Sequence, residues 1–260
     1  MKETAFHSQT ISIKGSGAGN VLGGAFWDEF GEVLSLIVEE GRASAVVLRG
    51  EGAAFSHGLD LRWYLTRLRR AARRGASATS MAGDIDKLQA AVNLLADCPL
   101  PTVAVIDGDC VGAALELVTA CDIRYATQRS WFAMPEADLG LVADLGGLQR
   151  LPKLIGEGHV REIVLSGGRF SAAHAERIGL VNSSYAHFAE LQQQVDRFLK
   201  SIDEKPRTVI AAIKETLSAS ARGSISDGLR FVREWNVVNF ENVSVQRRVR
   251  ARLTDSSANT

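Results

Sequence analysis

Three carboxylates lie close together in one short stretch of the chain. Glu116, Glu136 and Asp144 all fall within residues 101–147, on short predicted elements bordered by glycine. Carboxyl groups held near one another and away from water can act as general acids and bases, because burial and mutual repulsion raise the pKa of one or more of them. This stretch therefore predicts proton-transfer chemistry.

The elements that carry these acids also offer a site for an anionic oxygen. Residues 102–106 form a short apolar run rich in β-branched residues, which predicts a buried parallel strand. Small residues follow from Gly108 to Ala114 and lead into a predicted helix over residues 113–120. The unpaired N–H groups at the start of this helix would face whatever lies over the end of the strand.

An upstream segment repeats this arrangement. Residues 45–49 predict a second buried strand, and Gly50, Gly52 and Gly58 predict a tight turn through residues 56–60 before the next helix. Backbone donors from two such turns, aimed at one point, would form an oxyanion hole for a developing enolate. Each donor of this kind typically lowers the barrier by about 3 kcal/mol.

Three longer motifs contain these features. They are AAFSHGLDL at residues 53–61, IDGDCVGAALELVTACDIRYA at 106–126 and PEADLGLVADLGGLQRLPKLIG at 135–156. In their order and spacing they resemble the enoyl-CoA hydratase/isomerase, or crotonase, superfamily. The resemblance implies an α/β fold: a spiral of strand-strand-helix units over residues 1–186, then a helical oligomerisation region over residues 187–260.

The resemblance also implies a substrate class and an assembly. The substrate would be an acyl-CoA thioester of fatty-acid metabolism, with coenzyme A as part of the substrate and no separate cofactor. The family forms trimers, often paired into hexamers, so a homotrimer or hexamer is expected. The histidines are scattered without ligand spacing, so no metal site is expected.

Individual residues receive roles from the same resemblance. It implies oxyanion-hole donors at the backbone N–H groups of Leu59 and Ala113, and hydratase-type catalytic carboxylates at Glu116 and Glu136. We interpret His57 as a residue of the pocket rim rather than a base, because the family accepts many residues there. The substrate-binding residues implied in the two turns are Ser56, His57, Gly58, Asp60 and Gly112.

Asp144 departs from the hydratase pattern, which has glycine at this place. With the run ADLGGLQRLPKLIG it resembles the Δ3,5-Δ2,4-dienoyl-CoA isomerase branch, in which Glu136 would remove a proton from C2 and Asp144 would protonate C6. The first acid of that branch is usually aspartate, whereas Glu116 is the hydratase residue. The alternatives are hydration of a 2-enoyl-CoA, and a crotonase-fold protein that binds acyl-CoA, RNA or a partner without turnover.

Other segments predict the surroundings of the site. Residues 84–97 are predicted to form a helix that covers the sheet, and residues 179–182 a strand that returns to it. Asp144 is predicted to be the N-cap of a helix. The arginine-rich residues 61–74 predict either a solvated helix face or contacts with the phosphates of coenzyme A, and residues 75–83 a mobile loop over the acyl pocket. Residues 25–40 predict a helix whose apolar stripe is Phe26, Phe30, Val33, Leu34 and Ile37.

Composition excludes several broad classes. The 260 residues are 46% hydrophobic, enough for a sizeable core, and thirty basic and thirty acidic residues give no net charge that would suit nucleic acid or an anionic membrane. Motifs of serine hydrolases, zinc proteases, P-loop proteins and dinucleotide-binding folds are absent from the sequence. Cysteines without CxxC spacing, and no signal-peptide pattern or peroxisomal tripeptide, favour a reduced, cytoplasmic protein.

Overall fold

The structure, a computed structural model, describes residues 8–15, 19–73, 78–239 and 243–257. Its contacts divide the chain into one unit that ends at Arg207 and a second that begins at Thr208. Within the described ranges, no helix is both long enough and apolar enough to cross a membrane.

The described residues of the first unit form eight strands in two sheets. They are β1 (Ser8–Ile13), β2 (Ala45–Gly50), β3 (Thr102–Ile106), β4 (Cys110–Val111), β5 (Ile123–Thr127), β6 (Trp131–Ala133), β7 (Phe170–Ser171) and β8 (Ser183–Tyr185). The larger sheet is parallel with the order β1-β2-β3-β5-β8, and the smaller sheet has the order β4-β6-β7. The α/β class and the buried strands predicted at residues 45–49 and 102–106 are confirmed.

The helices lie between these strands along the chain and continue after the last strand. They are α1 (Gly24–Glu39), α2 (Leu61–Arg73), α3 (Ala78–Ala96), α4 (Ala113–Val118), α5 (Gly147–Leu154), α6 (Glu157–Ser166), α7 (Ala172–Arg177), α8 (Phe188–Asp203), α9 (Arg207–Arg222), α10 (Ile225–Asn239) and α11 (Val243–Ser257). A 3₁₀ helix, Pro135–Leu139, precedes α5.

The buried face of α1 differs from the predicted stripe. Phe30 and Leu34 are buried as expected, but Val33 is 42% exposed and Trp27 takes a place in the core. The indole Nε1 of Trp27 donates a hydrogen bond to the carbonyl oxygen of Leu22, 3.1 Å away, which allows its polar atom to be buried. The prediction of Val33 as a core residue was therefore wrong.

Helix α3 begins earlier than predicted. Residues 78–83, expected to be a mobile loop, form its first turns, and residues 74–77 lie outside the described residues. The returning strand was also misplaced, since the N–H groups of Leu180 and Val181 donate to the carbonyl oxygen of Ala175 and close α7. The strand follows at β8, where Ser183 pairs with Tyr125.

The first unit extends beyond the predicted boundary after residue 186. Leu191, Val195 and Leu199 of α8 pack against the strand residues Val103 and Val105, so α8 is part of the sheet's cover. The structure therefore divides after Arg207. Helices α10 and α11 and nearly all of α9 make up the second unit, and its role in oligomerisation stays a prediction.

Candidate active site

A cavity of about 170 Å³ opens beside the first turn of α4. The three carboxylates predicted from the sequence, Glu116, Glu136 and Asp144, all lie on its wall. The two predicted donor residues, Leu59 and Ala113, lie on the same wall. Strand ends and helix starts from separate parts of the chain thus converge on one place.

The turns that carry the two donors are held together by a backbone bridge. The N–H of Ser56 donates to the carbonyl oxygen of Asp109 (2.9 Å), and the N–H of Val111 donates to the carbonyl oxygen of Ser56 (3.0 Å). Gly58 lies at the point of closest approach with a φ of +81°, and a Cβ there would be 2.4 Å from the oxygen of Val111 and 3.1 Å from the nitrogen of Ala113. Only glycine fits here. Because Gly58 has no side chain, the peptide of Leu59 can lie next to Ala113.

Both donor N–H groups are left available by this arrangement. Leu59 pairs in parallel with Leu22 through the carbonyl oxygen of Gly58 and the N–H of Asp60, so its own N–H points away from Leu22. Ala113 is the first residue of α4, where the helix offers no acceptor. Among the hydrogen bonds of the described residues, neither amide is a donor. Both N–H groups can therefore donate hydrogen bonds to an anionic oxygen in the cavity.

Asn20 supports the first of these turns and was missed as a functional residue. Its side chain is 4% exposed, and its Nδ2 donates to the carbonyl oxygens of Glu51 (2.6 Å) and Ala54 (2.8 Å). Its backbone oxygen accepts the hydroxyl of Ser56 at 2.7 Å. The only local signal was an asparagine in a glycine-rich turn, which suits its φ of +46°.

The residues predicted to bind substrate fall into two groups. His57 and Gly112 line the cavity, and the half-exposed His57 ring lies at the rim with its Nε2 3.5 Å from Asp109 Oδ2. Ser56, Gly58 and Asp60 lie behind the cavity wall. Asp60 caps α2, because its Oδ1 accepts the backbone N–H groups of Arg62 and Trp63. These three residues shape the turn rather than line the cavity.

Glu116 is buried and bonded to the loop that carries Asp144. Its carboxylate is 2% exposed, and Oε2 accepts the N–H groups of Leu145 (2.9 Å) and Gly147 (2.8 Å). The pKa of Glu116 is raised to about 7: burial is the largest cause, the hydrogen bond from Gly147 opposes it, and the charge of Glu136 adds to it. The close contact needs glycine, since a Cβ at position 147 would lie 2.7 Å from Glu116 Cγ.

Glu136 presents an oxygen without a partner. It lies in the first turn of the 3₁₀ helix, and its buried Oε2 makes no hydrogen bond among the described residues. Burial is the main cause that raises the pKa of Glu136, and the charge of Asp144 adds to it. An unsatisfied buried carboxylate oxygen is uncommon and needs an explanation. A base that takes a proton from carbon would have this geometry, because a C–H group is a poor hydrogen-bond donor.

Asp144 lines the cavity and does not lie at a helix start. Helix α5 begins at Gly147, and its N-cap is Gly146 with a φ of +93°, so the prediction of Asp144 as the N-cap was wrong. The side chain of Asp144 is one of those that line the cavity. Partial burial raises the pKa of Asp144, and a hydrogen bond with its own backbone opposes this shift.

One arginine of the predicted arginine-rich stretch reaches the cavity wall. Arg67 forms an ion pair with Asp84 of α3, and its guanidinium lies 5.1 Å from the ring centroid of Trp63. This pair joins α2 to α3 beside the apolar part of the cavity. Arg67 is thus a structural contact between the two helices.

Comparison with known proteins identifies the family. The sequence profile of the enoyl-CoA hydratase/isomerase family matches residues 9–252. The chain belongs to this family. It is an enzyme of the crotonase fold.

Two similar proteins carry a more specific name. The Arabidopsis thaliana Delta(3,5)-Delta(2,4)-dienoyl-CoA isomerase, peroxisomal, is 34% identical over 220 residues, which cover 84% of this chain and 79% of that protein. The Mus musculus Delta(3,5)-Delta(2,4)-dienoyl-CoA isomerase, mitochondrial, is 32% identical over 90% of this chain and 72% of its own. A Thermobifida fusca structure in complex with acetoacetyl-CoA is 25% identical, with a TM-score of 0.82 and coverage of 92% and 93%.

These relatives correct one expectation from the sequence. The enzyme was expected to be cytoplasmic because the sequence contains no recognised targeting pattern. The relatives that are 34% and 32% identical are named as peroxisomal and mitochondrial proteins. The prediction of a purely cytoplasmic location was therefore wrong: a missing sequence pattern is weak support for any compartment.

Proposed function

We propose that this enzyme isomerises a 3,5-dienoyl-CoA to a 2,4-dienoyl-CoA. The observation that carries the proposal is that Asp144 and Glu136 line the same cavity, and that the buried Oε2 of Glu136 has no hydrogen-bond partner among the described residues. A base and an acid at separate places along a bound dienoyl chain can move a proton from one carbon to another. The names of the two relatives above support the same reaction.

In the proposed mechanism, the thioester oxygen accepts the N–H groups of Leu59 and Ala113. Glu136 removes the C2 proton, and the electrons of that C–H bond move into a dienolate that the two donors stabilise. Asp144 then delivers a proton to C6, so that the 3,5 double bonds become 2,4 double bonds. Glu136 ends protonated and Asp144 ionised, and proton exchange restores both. Only protons move, so the reaction requires no redox cofactor.

Glu116 has a supporting part in this proposal. Its Oε2 is engaged by the N–H groups of Leu145 and Gly147, next to Asp144. A carboxylate bonded in this way holds the loop that carries Asp144, and its charge would affect the pKa of Asp144. One observation favours the alternative, hydration of a 2-enoyl-CoA: Glu116 and Glu136 both face the cavity and could together orient a water molecule.

An assay pair on the same preparation tests the reaction. We expect the 2,4-dienoyl chromophore to form from a 3,5-dienoyl-CoA, and little loss of the enoyl chromophore from a 2-enoyl-CoA. Asp144→Asn and Glu136→Gln should each abolish isomerisation, whereas Asp86→Asn on the exposed face of α3 should not. Efficient hydration together with an active Asp144→Asn variant would reject the isomerase.

We further propose that the enzyme assembles into a homotrimer or hexamer. Apolar side chains of the second unit support this, since Ile213, Leu217, Leu229 and Val238 are 50%, 66%, 67% and 82% exposed. A partner subunit would remove them from water. Light scattering at micromolar concentration should give the mass of three or six chains, and the mass of one chain would contradict the proposal.

A further inference from the structure

The loop that carries Asp144 is held from two sides through a single peptide group. The peptide between Asp144 and Leu145 donates its N–H to Glu116 Oε2 at 2.9 Å. The carbonyl oxygen of the same peptide accepts Nε2 of Gln89 at 2.6 Å. Because both ends of this peptide plane are bonded, rotation about the bonds on either side of it is restricted. Those rotations are the ones that would move the Asp144 side chain.

Gln89 connects this peptide to the wall of the acyl cavity. It is a half-buried residue of α3, the residue after Leu88 and one turn after Ile85. Leu88 and Ile85 both line the cavity. The helix that contacts the apolar part of the cavity therefore also bonds the backbone of the acid.

A second connection one turn later strengthens this link. Asn93 of α3 accepts Nη2 of Arg150 through its Oδ1 at 2.6 Å, and Nη1 of Arg150 donates to the carbonyl oxygen of Leu145 at 3.1 Å. Two consecutive peptides of the loop are thus bonded to α3. The peptide after Asp144 is bonded directly by Gln89, and the peptide after Leu145 is bonded through Arg150, which contacts Asn93. None of these bonds was visible in the sequence motifs, because α3 is distant from the loop along the chain.

We propose that Gln89 is a positioning residue, which holds Asp144 at the distance from substrate that proton delivery requires. This inference rests on the proposed isomerase function. Hydrogen bonds in a chain polarise one another, so the Gln89 amide also strengthens the N–H that Leu145 donates to Glu116. A misplacement of about 1 Å can reduce turnover by about a hundredfold. Loss of one of two links should cost less, about tenfold in kcat.

The test replaces Gln89 by methionine, which has a similar length and no donor. Gln89→Met should lower kcat for a 3,5-dienoyl-CoA about tenfold and leave KM and acetoacetyl-CoA affinity within about twofold. Amide hydrogen exchange at Leu145 and Gly147 should become faster, because their bonds to Glu116 are loosened. The matched control is Gln192→Met on α8, whose Nε2 donates to Asp196 Oδ1 at 2.9 Å and which does not line the cavity. This control should leave kcat, KM, acetoacetyl-CoA affinity and hydrogen exchange unchanged.

The outcomes separate this inference from the proposed function. If the wild-type enzyme does not isomerise a 3,5-dienoyl-CoA, the proposed function fails, and hydrogen exchange alone then decides whether Gln89 holds the loop. Unchanged kcat and unchanged exchange in Gln89→Met would overturn the positioning role. Two other outcomes would also overturn it: an equal loss of kcat in Gln192→Met, and a rise in KM proportional to the loss of kcat in Gln89→Met. In either case a general loss of structure would explain the effect.

Discussion

Replacement of Glu116 by glutamine should make the enzyme more stable above neutral pH. Glu116 is a buried acid whose pKa is raised from 4.5 to about 7, chiefly by burial. Glutamine has the same shape, and its side-chain oxygen can still accept the N–H groups of Leu145 and Gly147. The substitution therefore removes the charge while it keeps the contacts.

The magnitude follows from the two pKa values. Between pH 4.5 and 7 the unfolded chain has lost the proton of Glu116 while the folded chain retains it, so the free energy of unfolding falls as pH rises through this window. A pKa raised from 4.5 to about 7 corresponds to about 3 kcal/mol of lost stability above pH 7. Glu116→Gln should recover most of this amount at pH 8 and almost none at pH 4.

Urea unfolding at pH 4, 6 and 8, at one protein concentration, measures the effect. The difference in unfolding free energy between Glu116→Gln and the wild-type enzyme should increase with pH. Glu157→Gln is the matched control, since Glu157 is an exposed helix residue paired with Arg161, and its curve should run parallel to that of the wild type. Parallel curves for Glu116→Gln as well would refute the interpretation of Glu116 as a destabilising buried acid.

Two further substitutions test the turns that hold the donors. Ala113→Pro removes one N–H at the first position of α4, where proline is tolerated, and should reduce turnover by about a hundredfold or more with much less effect on acyl-CoA affinity. Unchanged turnover in a folded variant would exclude Ala113 as a donor. Asn20→Ala leaves the carbonyl oxygens of Glu51 and Ala54 without their donor and should cost about 2 to 4 kcal/mol in a thermal unfolding measurement. A midpoint equal to that of the wild type would show that these bonds do not stabilise the turn.

Much of the sheet could be predicted because the signal is local. The strands at residues 45–49 and 102–106 are short segments of mostly apolar residues rich in valine and isoleucine, a pattern typical of buried strands. The face of α1 was harder to predict: the predicted stripe included Val33, which is exposed, and left out Trp27, which is buried. The hydrogen bond that the Trp27 indole donates to Leu22 depends on the tertiary fold and gives no signal in the local sequence.

The same distinction applies to the candidate site. The three carboxylates could be found because they lie within a short stretch that resembles a known family. Gln89 and Asn20 act on backbone carbonyl groups of other segments, and side chains of this kind form no motif. The resemblance implied a substrate-binding role for Ser56, and the structure adds that its hydroxyl donates to the backbone oxygen of Asn20.

The backbone bridge that joins the two donor turns, in which Ser56 pairs with Cys110, affects how the enzyme refolds. The amides of Leu59 and Ala113 become neighbours only when this bridge closes, and the chain between them includes all of α2 and α3. Closure of such a long loop is slower than the formation of helices, whose contacts are local. During refolding from urea, helical circular dichroism should therefore return before turnover does. The delay between the two signals reports the time at which the first and second turns of the spiral come together.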